Sequence, residues 1–136
     1  MSKVTVAEMA AHVAQLCETH GIVFEEHSRG GRAFRRERRM KIRPVKSAAS
    51  YAVALHEVGH ILGRRQSQTR LCSEAGAWMW AREHALVWSP VMEQKQRASL
   101  ASYLRWATRR SKHVSLPKPE DPFWTLLGQA APEESA

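Results

Sequence analysis

The stretch Val53-Ala54-Leu55-His56-Glu57-Val58-Gly59-His60-Ile61-Leu62 constrains this chain more than any other. Within it, His56 and His60 stand four residues apart, with Glu57 beside the first. Residues four apart lie one above the other on a helix face. Both imidazoles can then reach one metal ion, with Glu57 placed as a base. The flanks favour a helix, because residues 48–62 contain no Pro and no charged side chain outside the motif. At 100° per residue, Ala49, Ala52, Val53, Gly59, His60 and Gly63 share the face of His56. That face is rich in small residues and expects a close neighbour. Tyr51, Leu55, Val58 and Leu62 form the opposite stripe, so the helix should be buried on two sides. Tyr51 points away from the His pair and is given no catalytic role. Ser47 or Ser50 supplies the cap.

Two imidazoles leave a metal short of ligands. A polar connection, 64–69, leads into a second apolar helix expected over Arg70 to Trp88, ended by Pro90. Glu74 lies on its stripe with Ala77, Trp78, Ala81, Ala85 and Trp88. A carboxylate on an apolar stripe is costly unless partnered, and a metal is the partner that best accounts for it. The plain alternative is a Glu favoured near a helix N-terminus. Glu83 falls on the outer side, and His84 lies toward the edge of the Glu74 stripe.

The rest of the chain reads as scaffold. Thr5-Val6-Ala7-Glu8 is a capping box opening a helix that carries Val6, Met9, Ala10, Val13, Ala14, Leu16 and Cys17, and Gly21 stops it. Residues 22 to 45 predict two or three short antiparallel strands. Ser28-Arg29-Gly30-Gly31 is the hairpin turn signal, Met40, Ile42 and Val45 form the apolar register, and Pro44 marks a strand end. Ser89 and Pro90 open a helix running to about Arg110, with Met92, Gln96, Leu100, Tyr103, Leu104 and Ala107 as its stripe. Ser111-Lys112-His113 ends it. Asp121 to Gly128 predicts one short helix docking Phe123, Trp124 and Leu127. The last eight residues are expected to fray. The fold class is α+β: about four helices packed with a small antiparallel β-hairpin or sheet. Residues 1–113 form one domain, and 114–136 form a Pro-rich tail.

Apolar content of 43 % and five Trp in 136 residues argue for a packed core. No apolar run approaches the ~20 residues of a bilayer span. The N-terminus lacks an apolar signal core. Both features predict a cytoplasmic protein without a membrane role. Cys17 and Cys72 form no paired spacing, so they read as buried thiols. The net charge of +8 is uneven, with Arg29, Arg32, Arg35, Arg36, Arg38, Arg39, Lys41 and Arg43 inside fifteen residues. This stretch could contact nucleic acid or an acidic partner, or simply form a solvated face.

His56, His60 and Glu74 would supply three ligands, which suits a catalytic zinc site with an open position rather than a structural site closed by four. Zinc makes hydroxide available near neutral pH. Glu57 can take the proton from that water and pass it to a leaving amine. His84, His113 and Tyr103 are candidates for steadying an oxyanion, with His27 a weaker one. A strand edge beside the cleft would take a peptide by strand addition.

At this point the sequence resembles the gluzincin type of zincin metallopeptidase, and more narrowly the ImmA/IrrE-like family common in phages and mobile elements. The matching residues are Ala54-Leu55-His56-Glu57-Val58-Gly59-His60-Ile61-Leu62 and Glu74-Ala75-Gly76-Ala77-Trp78-Met79-Trp80-Ala81. The resemblance covers about residues 20 to 90. It implies a minimal zincin-like fold, zinc at His56, His60 and Glu74, and Glu57 as base. It also implies a small sheet ahead of the metal helix and a phage or prophage origin. Two departures stand out: only thirteen residues separate His60 from Glu74, and no helix-turn-helix or sensor segment accompanies the motif. The family's repressor substrates are therefore not carried over. The expected function is a zinc-dependent metallopeptidase acting on peptides or proteins. The alternative is a non-catalytic zincin-like binding module that uses the basic Arg29–Arg43 stretch.

Overall fold

The computed structural model describes residues 3–27, 29–110 and 112–132. Ser28 of the expected turn, Ser111 of the expected helix end and 133–136 of the tail lie outside the described residues. The fold is α+β, with five helices and a small three-stranded sheet among the described residues.

Helix α1, Val6–His20, starts at the expected capping box. The Glu8 N–H donates to Thr5 Oγ1 and the Thr5 N–H to Glu8 Oε1, each at 3.1 Å. Gly21 ends the helix in the left-handed conformation at φ 65°. Met9, Val13 and Cys17 are its buried face.

The sheet departs from the expected hairpin. Strands β1 (Val23–Glu26), β2 (Arg32–Phe34) and β3 (Arg39–Ile42) lie in the order β1-β3-β2. β1 runs parallel to β3, and β2 runs antiparallel to it. The sheet is thus mixed, and Gly30-Gly31 does not close a two-strand hairpin. The reversal occurs at Arg35–Arg38, where Arg38 adopts φ 49° and its N–H bonds the Arg35 carbonyl at 3.2 Å. That unusual turn is held from outside. The Arg38 guanidinium donates to the His20 carbonyl, and the Arg38 carbonyl accepts from the Val23 N–H. The Gly30-Gly31 segment instead carries the chain across the end of β3 and against α2. Met40 and Ile42 are the buried register of β3, as expected, and Pro44 lies just beyond its end.

Helix α2, Ala48–Leu62, begins at Ser47, with Ser50 completing a reciprocal cap. It is buried on almost every side, including Tyr51, Ala52, Leu55, His56, Glu57, Val58 and Gly59. Helix α3, Arg70–His84, stops four residues short of the expected Trp88. The Leu86 N–H donates to Tyr51 Oη at 3.0 Å instead of to its own helix. Trp88 leaves the helix yet still meets Trp78 edge-on. Helix α4, Pro90–Thr108, has Ser89 as cap and buries Met92, Gln96, Leu100 and Ala107. Helix α5, Pro122–Leu127, is the expected short one, capped by Asp121, with Phe123, Trp124 and Leu127 buried. It packs on α3 and α4. No helix among the described residues is long and apolar enough to cross a membrane.

Candidate metal centre

The α2–α3 contact sets the site. A Cβ built on Gly59 would lie 2.4 Å from the Ala77 carbonyl oxygen, and one on Gly76 2.2 Å from that of Arg64. Only hydrogen at these positions lets the two backbones approach so closely. Gly59 sits between the two His of α2, and Ala77 follows Glu74 by one helical turn. The close approach therefore brings Glu74 onto the imidazoles. Glu74 Oε1 is 3.0 Å from His56 Nε2, and Glu74 Oε2 is 2.6 Å from His60 Nε2. Glu74 is fully buried, Glu57 and His56 nearly so. Trp78, one turn beyond Glu74, stacks on the His56 ring at 4.3 Å between centroids.

The outer ring nitrogens are also engaged. His60 Nδ1 is 2.8 Å from Gln66 Oε1. The orientation of that amide is determined, because Gln66 Nε2 donates to the Arg64 and Ser73 carbonyls and Oε1 accepts from Ser73 Oγ. His60 Nδ1 must therefore carry the proton that Gln66 accepts. His56 Nδ1 faces Glu57 Oε1 at 3.0 Å, an acceptor again. With both Nδ1 atoms facing acceptors, the two Nε2 atoms face the Glu74 carboxylate, and neutral rings would turn lone pairs toward it. Lone pairs facing carboxylate oxygens inside a protein repel unless a cation, a proton or a metal, stands among them.

The electrostatics agree. Burial pulls the His56 pKa down, but hydrogen bonds and charge from Glu57 and Glu74 outweigh it, and the net shift is upward. Burial pushes the Glu74 pKa up, but His56 and His60 outweigh it and hold the carboxyl well below the usual range. Glu74 stays anionic. Its Oε2 is buried and has the His60 Nε2 beside it at 2.6 Å, without a well-aligned hydrogen bond to any group. A buried carboxylate with an imidazole Nε2 beside each of its oxygens is donor chemistry that suits a borderline divalent ion such as zinc. His56, Glu57 and His60 also offer donor atoms all within 4.8 Å of one another.

These residues floor a cleft of about 710 Å³. Gly31, Arg32 and Ala33 form one wall, and Lys95, Ser99 and Tyr103 form the other. Gly31 presses on Glu57, and a Cβ there would meet Glu57 Cγ at 2.7 Å. Tyr103 enters from α4 toward Glu74. Burial, then the Glu74 charge, raise its pKa.

Of the sequence candidates, His56, Glu57, His60, Glu74 and Tyr103 come together in this cleft. The others do not. His84 stacks on Trp80 and binds the Trp80 carbonyl, and His27 and His113 are exposed outside the cleft. Cys72 Sγ faces Asp121 at 3.8 Å rather than the site. Sequence reasoning missed Gln66, which it read only as part of a polar connection. It did not foresee Gly31 against Glu57 or the Trp78–His56 stack either. No family model, curated protein or solved structure matches the chain.

Proposed function

We propose that this protein is a zinc-dependent metallopeptidase of the gluzincin type. The observation that supports this most is the convergence of His56 Nε2, His60 Nε2 and Glu74, with Glu57 held alongside rather than within the set. His56, His60 and Glu74 would hold the ion, and three protein ligands leave a position open. When bound, zinc supplies Lewis acidity that polarises a carbonyl and makes water acidic enough to ionise near neutral pH.

The chain's own residues do the remaining work. Glu57, a carboxylate at the cleft floor, accepts a proton from water on one oxygen and returns it to the nitrogen of the departing amine. Tyr103 offers a phenolic O–H from the facing wall. Its raised pKa keeps it protonated and able to donate to a developing oxyanion. Among the described residues β2 pairs with β3 on one side only, so its other edge is free of strand pairing and can take an extended peptide. Gly31, lacking a side chain, lets the backbone before β2 lie directly on Glu57.

Two measurements test the reading. Purified protein should carry about one equivalent of zinc, and Glu74→Ala should lose most of it. Glu57→Gln should retain the metal and lose peptide cleavage by at least about 100-fold, the scale of a general base. Full zinc retention by Glu74→Ala would sink the ligand assignment, and undiminished cleavage by Glu57→Gln would sink the catalytic one.

A further inference from the structure

The charges around the cleft are one-sided. Arg32 on β2, Arg35 in the turn after it, Arg70 at the start of α3 and Lys95 on α4 all line the opening and are exposed. Among the described residues none of the four has a carboxylate partner. Three acids nearby in the chain are paired elsewhere. Glu25 and Glu37 pair with Arg39, and Glu93 pairs with Arg82 and Arg97. Among the described residues, the only acidic ones lining the cleft are Glu57 and Glu74 at its floor. A second groove of about 260 Å³ continues past Gly30 and Gly31 and adds Arg29 and Lys41.

We infer that the cleft selects acidic peptides, with Asp or Glu side chains flanking the bond placed at the floor. Four cations without a carboxylate partner, on β2, the turn after it, α3 and α4, surround the free edge of β2, so an extended chain bound there passes between them. Opposite charges at such separations steer and hold a ligand, and they are screened by salt. Among the described residues, the aromatic rings lining the cleft are the buried Trp78 and the half-buried Tyr103, so no fully exposed ring is offered for bases to stack on.

The inference deepens the peptidase reading and rests on it for the cleavage step, while binding can be read without turnover. The test uses three fluorescent peptides of equal length, alike except for Glu, Gln or Lys at the positions flanking a central apolar pair. With zinc-loaded protein at low salt, the Glu peptide should be cut with kcat/KM at least about tenfold above the Gln peptide. That ratio should shrink at 0.5 M salt. Arg70→Glu/Lys95→Glu should collapse the ratio, whereas Arg109→Glu/Lys118→Glu, which changes net charge equally away from the cleft, should not. Equal cutting of all three peptides would overturn the inference and leave the peptidase intact. If nothing is cut, fluorescence anisotropy on Glu57→Gln decides. Tighter binding of the Glu peptide, lost in the Arg70/Lys95 variant, upholds the recognition while the peptidase fails. Displacement of that peptide by a single-stranded oligonucleotide at lower concentration than by unlabelled Glu peptide overturns it in favour of nucleic acid.

Discussion

At the scale of single residues, the centre depends as much on what holds the imidazoles as on the imidazoles themselves. His60 presents Nε2 to Glu74 because Gln66 Oε1 occupies Nδ1, and Gln66 is itself held by Arg64, Ser73 and the Ser73 hydroxyl. Outer partners of this kind typically change metal affinity by about 10- to 100-fold when removed. Gln66→Ala should therefore weaken zinc binding by that factor, with the helical circular dichroism retained. Competition against a colorimetric chelator measures it, and an unchanged affinity would show that Gln66 does not orient the ring. His56, Glu57 and His60 were legible in the sequence because their spacing along one helix is itself the geometry. Gln66 was not, because its role depends on how the chain turns between two helices. Glu74 was legible at one remove, through the cost of an unpartnered carboxylate on an apolar stripe.

At the scale of elements, the close approach of α2 and α3 is written in Gly59, with Gly76 admitting the Arg64 backbone just after α2, and Gly59 on the small-residue face expected of α2 meets α3. The mixed sheet was not legible. Gly30-Gly31 is a strong hairpin signal, but the reversal is made by Arg38 in a positive-φ conformation secured by His20 and Val23, contacts that span the start of the fold. The tail helix was read correctly, and its docking rests on one carboxylate. Asp121 caps α5 through the Phe123 N–H at 2.9 Å and accepts from both terminal nitrogens of Arg65, at 3.0 and 2.6 Å. The Arg65 hydrogen bonds lower the Asp121 pKa, burial opposes them, and the Phe123 N–H lowers it further. A carboxyl depressed in the folded state adds stability that is complete above its unfolded pKa and lost as pH falls through the folded one. At pH 7, Asp121→Asn should keep the cap and lose the ion pair, costing about 1 kcal/mol. The gap between wild type and variant in urea unfolding should stay constant down to roughly pH 4, the ordinary Asp range. Below that it should close. A gap that persisted unchanged at pH 2 would mean that the pair contributes through packing rather than charge.

At the scale of the whole molecule, the cleft is assembled from three parts of the chain: the Gly31–Arg35 segment, the α2–α3 pair and the middle of α4. Periodicity assigned Tyr103 to the core stripe of α4. Its ring stands on the boundary between that stripe and the cleft, because α4 packs on α2 and α3 along the same line that carries Glu74. Which helix supplies the far wall is a property of the packing, and no local pattern encodes it. The same junction ties the proposed metal to global stability. Glu74, His56 and Glu57 are buried, and His60 half-buried, between elements that separate on unfolding, so an ion held there is lost with the fold. Binding to the native state alone stabilises it by RT ln(1 + [L]/Kd), about 2.7 kcal/mol at a hundredfold excess over Kd. For a chain of 136 residues, each kcal/mol moves the melting temperature by roughly 3–4 °C. Zinc added to chelator-stripped protein should thus raise Tm by roughly 8–11 °C under those conditions. Glu57→Gln should show nearly the full rise, because that side chain lies beside the ligand set, and Glu74→Ala little of it. A calorimetric scan in which zinc shifts Glu74→Ala as far as wild type would place the ion somewhere other than between α2 and α3.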